Sequence, residues 1–123
     1  MQILAIAAGG AVGAVMRFLV SNAVHQAVGR AFPFGTLTVN VVGSLLIGLL
    51  YVMFHERMDV SAYWRALLMI GVMGAFTTFS TFSLETLELL EKGALLKAGL
   101  NMVLNVGLCV LAAWIGVLIA RTA

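Results

Sequence analysis

Gly71-Val72-Met73-Gly74-Ala75-Phe76-Thr77-Thr78-Phe79-Ser80-Thr81-Phe82-Ser83 packs two glycines, five hydroxyl side chains and three phenylalanines into thirteen residues without a charge. It lies inside residues 66–84, which contain no Asp, Glu, Lys or Arg. That run approaches the roughly 20 residues needed to cross a hydrocarbon core of about 30 Å. Glycine weakens a helix, and Ser and Thr redirect their hydroxyls to nearby backbone carbonyls. An unwound turn is therefore expected at Gly74 to Thr78, inside a span. Non-helical backbone survives at that depth only if it is buried in protein or lines a cavity. In transporters, broken helices offer free carbonyl oxygens to a cation.

Working outward, residues 31–54 and 98–120 are likewise free of charge, and an apolar stretch from residue 1 to about 28 is interrupted only by Arg17. Apolar residues make up 63% of the chain and charged ones 10%, with a mean hydropathy of +1.11. A soluble domain carries about 25% charged residues, and 123 residues are too few to bury such an excess of apolar surface. Lipid is the missing partner. The chain is expected to be an all-α integral membrane protein of four transmembrane helices, with residues 1–123 forming one domain. The first stretch lacks a basic leader and a small-residue cleavage site, so it reads as a retained helix.

With four crossings, Arg57, Arg65 and Arg121 fall on one side, and Arg30, Lys92 and Lys97 on the other. Positive charge near helix ends sets orientation, and here it is balanced. Insertion in both orientations, followed by pairing as an antiparallel dual-topology homodimer, accounts for that balance. Gly9, Gly10, Gly13 and Ala14, with Gly43, Ser44 and Gly48, supply the small faces that let helices approach in lipid.

Polar groups at membrane depth are costly and mark partners or water-filled paths. Thr36, Asn40 and Ser44 share one face of the second span, and Asn101 and Asn105 repeat the spacing in the fourth. They either pair between helices or line a pore. Arg17 either snorkels to an interface or draws anions into a vestibule. Glu85 lies deeper than Glu88 and Glu91. Phe79 and Phe82 follow at helical spacing, and the positive edge of a phenyl ring can face a small anion. His25 and His55 lie near predicted helix ends and receive no ligand role. Cys109 is the only cysteine, which rules out an intrachain disulfide and reads as a buried thiol. No nucleophile–base pair or metal-ligand set stands out, so an enzyme is not expected, nor is a nucleic-acid partner.

Three motifs, Gly9-Gly10-Ala11-Val12-Gly13-Ala14-Val15-Met16-Arg17, Phe34-Gly35-Thr36-Leu37-Thr38-Val39-Asn40 with Gly43, and Gly74-Ala75-Phe76-Thr77-Thr78-Phe79-Ser80-Thr81-Phe82-Ser83 with Glu85, occur in this order. On them the chain resembles the CrcB/Fluc fluoride ion channels over essentially its whole length. The resemblance implies an antiparallel dual-topology dimer in the inner membrane that passes fluoride passively out of the cytoplasm and so confers fluoride resistance. It implies a structural sodium ion held by the backbone carbonyls of Gly74 and Thr77. Phe79 and Phe82 become pore phenylalanines, Asn40 a pore-lining amide, and Arg17 and Glu85 vestibule residues. The hydroxyls of Thr78, Ser80, Thr81 and Ser83 include a polar track beside the rings. Many members carry tyrosine and serine where Asn101 and Asn105 align, and both types donate hydrogen bonds, which keeps a pore-lining role for the two asparagines. A small multidrug-type exporter is the competing class. Its proton-coupled members need a carboxylate in the first helix, and this chain has none there. A non-transporting assembly subunit is the third.

Overall fold

The computed structural model describes Met1–Ala123, and its regular elements are all helices, with no strand. We label the helices α1 (Gln2–Val28), α2 (Phe34–Arg57), α3 (62–76), α4 (Ser80–Glu91) and α5 (Leu95–Thr122). Helices α3 and α4 form one run, Ala62–Glu91, so four units are long and apolar enough to cross a membrane. The connections are short. α1 stops where Gly29, at φ 85°, returns its N–H to the His25 carbonyl at 2.8 Å, a backbone conformation that favours glycine.

Two pairings organise the bundle: α2 lies along α5, and α1 lies along α3. Both rest on absent side chains. A Cβ on Gly13 would run into the Val72 carbonyl oxygen, and one on Gly9 into the Leu67 carbonyl oxygen. Gly48 and Gly116 make the same close approach between α2 and α5, against Ala113 and Leu45. Small residues let backbones touch where apolar burial supplies no drive between helices.

The helices are not uniform. Met53–Arg57 and Ala66–Met73 are wound more widely, as π-helix, with the Met58 N–H reaching the Met53 carbonyl at 2.8 Å. Such turns usually accompany functional sites. Only 24 of 123 residues are buried, and side chains such as Phe18, Leu96, Val103 and Trp114 stand exposed. This apolar exterior is the surface expected of helices that meet lipid or a further protein chain.

Candidate functional site

The third unit leaves helical geometry at Thr77–Phe79. Thr77 is extended at φ −84°, ψ 161°, and the helix resumes at Ser80. The unwinding expected over Gly74 to Thr78 overlaps this interruption at Thr77 and Thr78, whereas Gly74 itself is helical. A long-range partner explains the later position. The Asn40 carboxamide of α2 takes the Thr78 backbone at both ends: Thr78 N–H donates to Oδ1 at 2.7 Å, and Nδ2 donates to the Thr78 carbonyl at 3.0 Å.

That capture changes the accounting of neighbouring carbonyls. In a continued helix the Thr78 N–H would serve the Gly74 carbonyl, but it serves Asn40. The Thr81 N–H would serve Thr77, but it donates to Thr78 Oγ1 at 3.2 Å. Gly74 and Thr77 thereby lose the donors that an i→i−4 ladder supplies. The Ala75 carbonyl, orphaned by the same break, accepts from Arg17 Nε at 2.9 Å. Arg17 thus turns part of its guanidinium inward to the backbone. The Thr77 hydroxyl bonds back to the Met73 carbonyl at 3.2 Å and the Ser83 hydroxyl to Phe79 at 2.9 Å.

From Asn40 a directed chain of donors runs away from the break. Asn40 Nδ2 donates to Asn105 Oδ1 at 3.0 Å, Asn105 Nδ2 to Asn101 Oδ1 at 2.9 Å, and Asn101 Nδ2 to Thr86 Oγ1 at 2.9 Å. Thr86 then donates to the Phe82 carbonyl at 2.8 Å. Asn101 is fully buried and Asn105 is 5% exposed. The chain stitches α2 and α5 to the third unit at the interruption and in the helix that follows it, and it fixes which way each amide points. Thr86 had no place in the sequence reading. Its spacing of four from Phe82 was the available signal.

Beside the break lies a cavity of about 450 Å³. Asn40, Gly74, Thr77, Thr78, Phe79 and Phe82 line it, together with Asn105 and Cys109. The Phe79 and Phe82 rings are 5.3 Å apart and tilted by 57°, but their settings differ. Phe82 is 7% exposed and Phe79 75%, so Phe79 projects from the open side of the cavity. Ser80, Thr81, Ser83, Asn101, Arg17 and Glu85 lie outside its lining. Ser80 and Ser83 are exposed and Thr81 is half-buried. Glu85 borders a second, more charged cavity with His25, Arg30, Glu88, Lys92 and Lys97.

The first cavity brings the Phe79 and Phe82 rings beside the interrupted Gly74–Thr78 backbone. Both Nδ2 hydrogens of Asn40 and of Asn105 are taken inside the chain, so these amides shape the wall rather than offer free donors.

Comparison with known proteins agrees in kind. The family described as CrcB-like protein, Camphor Resistance (CrcB), matches residues 4–117. A fluoride-specific ion channel FluC of Magnetococcus marinus is 53% identical over 121 residues, covering 98% of each chain. One of Coxiella burnetii is 48% identical over 122 residues, again covering 98% of each. One of Methylococcus capsulatus is 54% identical over 121 residues, and there the chain spans about half of the relative, 53% of its length. The chain belongs to the CrcB family, whose members act as channels rather than enzymes, and it is a multi-pass membrane protein.

Proposed function

We propose that this member of the CrcB family is a fluoride-selective channel that lets the anion leave the cytoplasm down its gradient and so relieves fluoride toxicity. The observation that carries this reading is the near-full-length identity to the Magnetococcus channel. The cavity chemistry supports it. Fluoride is small and tightly hydrated, so a path for it must replace water with donors and positive ring edges. The tilted pair Phe79 and Phe82 offers ring edges, and the hydroxyl residues Ser44, Thr77 and Thr78 line the same cavity.

The same reading assembles two copies as an antiparallel dual-topology homodimer in the inner membrane. Phe79 stands largely exposed at an open cavity, and a Cβ on Gly74 would point into open space, which suits a face covered by another copy. The balanced arginines and lysines favour insertion both ways. Ala75 is the midpoint of the uncharged run 66–84, which sets the interruption near mid-depth, where residues meet their own copies across an in-plane two-fold axis.

A structural sodium ion fits there. Backbone carbonyl oxygens freed by unwinding are the ligands such ions take in membrane proteins, and Gly74 and Thr77 are the residues whose helical donors are diverted. When bound, the ion supplies fixed positive potential beside the path. Asn40 holds the Thr78 peptide, whose N–H would otherwise serve Gly74, and Arg17 holds the Ala75 carbonyl between the two residues.

Expression in cells stripped of their own fluoride exporter tests the direction of transport. The protein restores growth on fluoride medium. Membrane-inserted protein that gives no protection contradicts the reading.

A further inference from the structure

The second cavity, of about 340 Å³, lies next along α4 from the first. Phe82 lines one, and Glu85, three residues on, lines the other, so the two stand in series along one helix. His25 reaches the second cavity from the last turn of α1. Its ring is held against α2: the Gly35 N–H donates to Nε2 at 3.3 Å. A Cβ on Gly35 would come within 2.8 Å of the same nitrogen, so only glycine lets the ring lie there.

The nitrogen that accepts this bond carries a lone pair, which puts the hydrogen of the neutral imidazole on Nδ1. Nδ1 is buried and has no partner in the chain. Glu85 Oε1, bordering the same cavity, is also buried and without a partner, although the Thr36 hydroxyl lies close to the carboxyl from α2. Buried polar atoms are almost always satisfied, and here one orphaned donor and one orphaned acceptor share a cavity. The charged groups around it are Arg30 from the connection, Glu88 and Lys92 from the far end of the third unit, and Lys97 from α5. Cations outnumber carboxylates by one while the imidazole is neutral.

We propose that His25 Nδ1–H is a binding donor for a partly hydrated small anion, fluoride on the reading above, resting at this mouth. The imidazole donates to the ion. A water retained by the ion donates one hydrogen to it and the other to Glu85 Oε1. Arg30, Lys92 and Lys97 raise the local anion concentration from outside. A neutral donor holds the ion more weakly than a cation does, and weak sites in series let an ion move on. This inference rests on the fluoride reading, yet its test is separable from it.

The experiment uses the full chain in lipid vesicles, labelled with ¹⁵N in its histidine rings. His55→Gln leaves one histidine; His55 is exposed and its ring meets only Tyr51, stacking on the phenol and bonding the carbonyl. Titration with sodium fluoride moves the His25 Nδ1–H resonance and adds a coupling to ¹⁹F, whereas sodium chloride does neither. A resonance unmoved by fluoride, or moved equally by chloride, overturns the inference whether or not the protein conducts. In flux assays His25→Phe slows fluoride release by about tenfold, the scale of one hydrogen bond to an ion, and His25→Asn recovers part by restoring an N–H. Fluoride release at the native rate from His25→Phe also overturns it, while leaving the channel reading intact.

Discussion

Asn40 and Thr78, 38 residues apart, close a two-bond ring in which the side-chain amide replaces the helix as the partner of one peptide. The interruption of the third unit is thus held by a specific group on α2, and weakness of the local sequence alone does not produce it. Asn40→Asp keeps an oxygen for the Thr78 N–H but removes the donor to the Thr78 carbonyl and to Asn105. The loss is expected to cost about 1–3 kcal/mol of stability, read as a lower unfolding midpoint in detergent, with fluoride release reduced as well. An unchanged midpoint places the ring outside the groups that hold the break.

The donor chain from Asn40 to Phe82 acts as a unit. Asn101→Leu leaves the Thr86 hydroxyl without its donor and Asn105 Nδ2 with the Asn101 backbone carbonyl alone of its two acceptors. Asn105→Leu breaks the same run one step earlier. In a double-mutant cycle the two changes together cost less than their sum, with a coupling of about 0.5–3 kcal/mol. Strict additivity contradicts a connected chain.

Close backbone approach distinguishes glycines that sit two turns or less apart on α1. Gly13→Ala pushes a methyl into the Val72 carbonyl and is expected to destabilise by about 1–3 kcal/mol. A Cβ on Gly10 would meet nothing within 4 Å, and Gly10→Ala leaves the unfolding midpoint of the single chain's fold unchanged or slightly raised. Equal effects contradict the α1–α3 packing.

The proposed sodium ion has its own linkage. A ligand that binds only the folded protein stabilises it by about 2.7 kcal/mol at a hundred times its dissociation constant. The unfolding midpoint is therefore higher in sodium than in N-methylglucamine at equal ionic strength, and fluoride release is faster. Identical midpoints and rates in the two buffers remove sodium from the account.

Much of the architecture was legible in the sequence, because a charge-free run of membrane length has few other uses. Residues 66–84 and 98–120 each fall within a spanning unit, 31–54 does so from Phe34 onward, and Arg17 interrupts the first span without ending it. Of the polar and aromatic residues that stand out in the sequence, Asn40, Gly74, Thr77, Thr78, Phe79 and Phe82 line one cavity, whereas Ser80, Thr81, Ser83 and Asn101 do not. The rest depends on partners distant in sequence. Glycine and threonine content marks where a helix is weak, but the Asn40 amide decides which peptide leaves it. Arg17 reaches a carbonyl 58 residues away, and no local pattern announces such a target. The wide turns of Ala66–Met73 lie against Gly9 and Gly13, a fit that exists only after the helices meet. His25 reads as an ordinary helix-end residue until Gly35 is folded against its ring.

Fluoride efflux from liposomes containing only this protein, with chloride as control, decides whether the chain is a fluoride channel. A selective channel gives fast fluoride release, no chloride release, and loss of fluoride release in Phe79→Ile and Phe82→Ile proteins that still fold and assemble. Release of neither ion from folded native protein, or equal release of both, contradicts it.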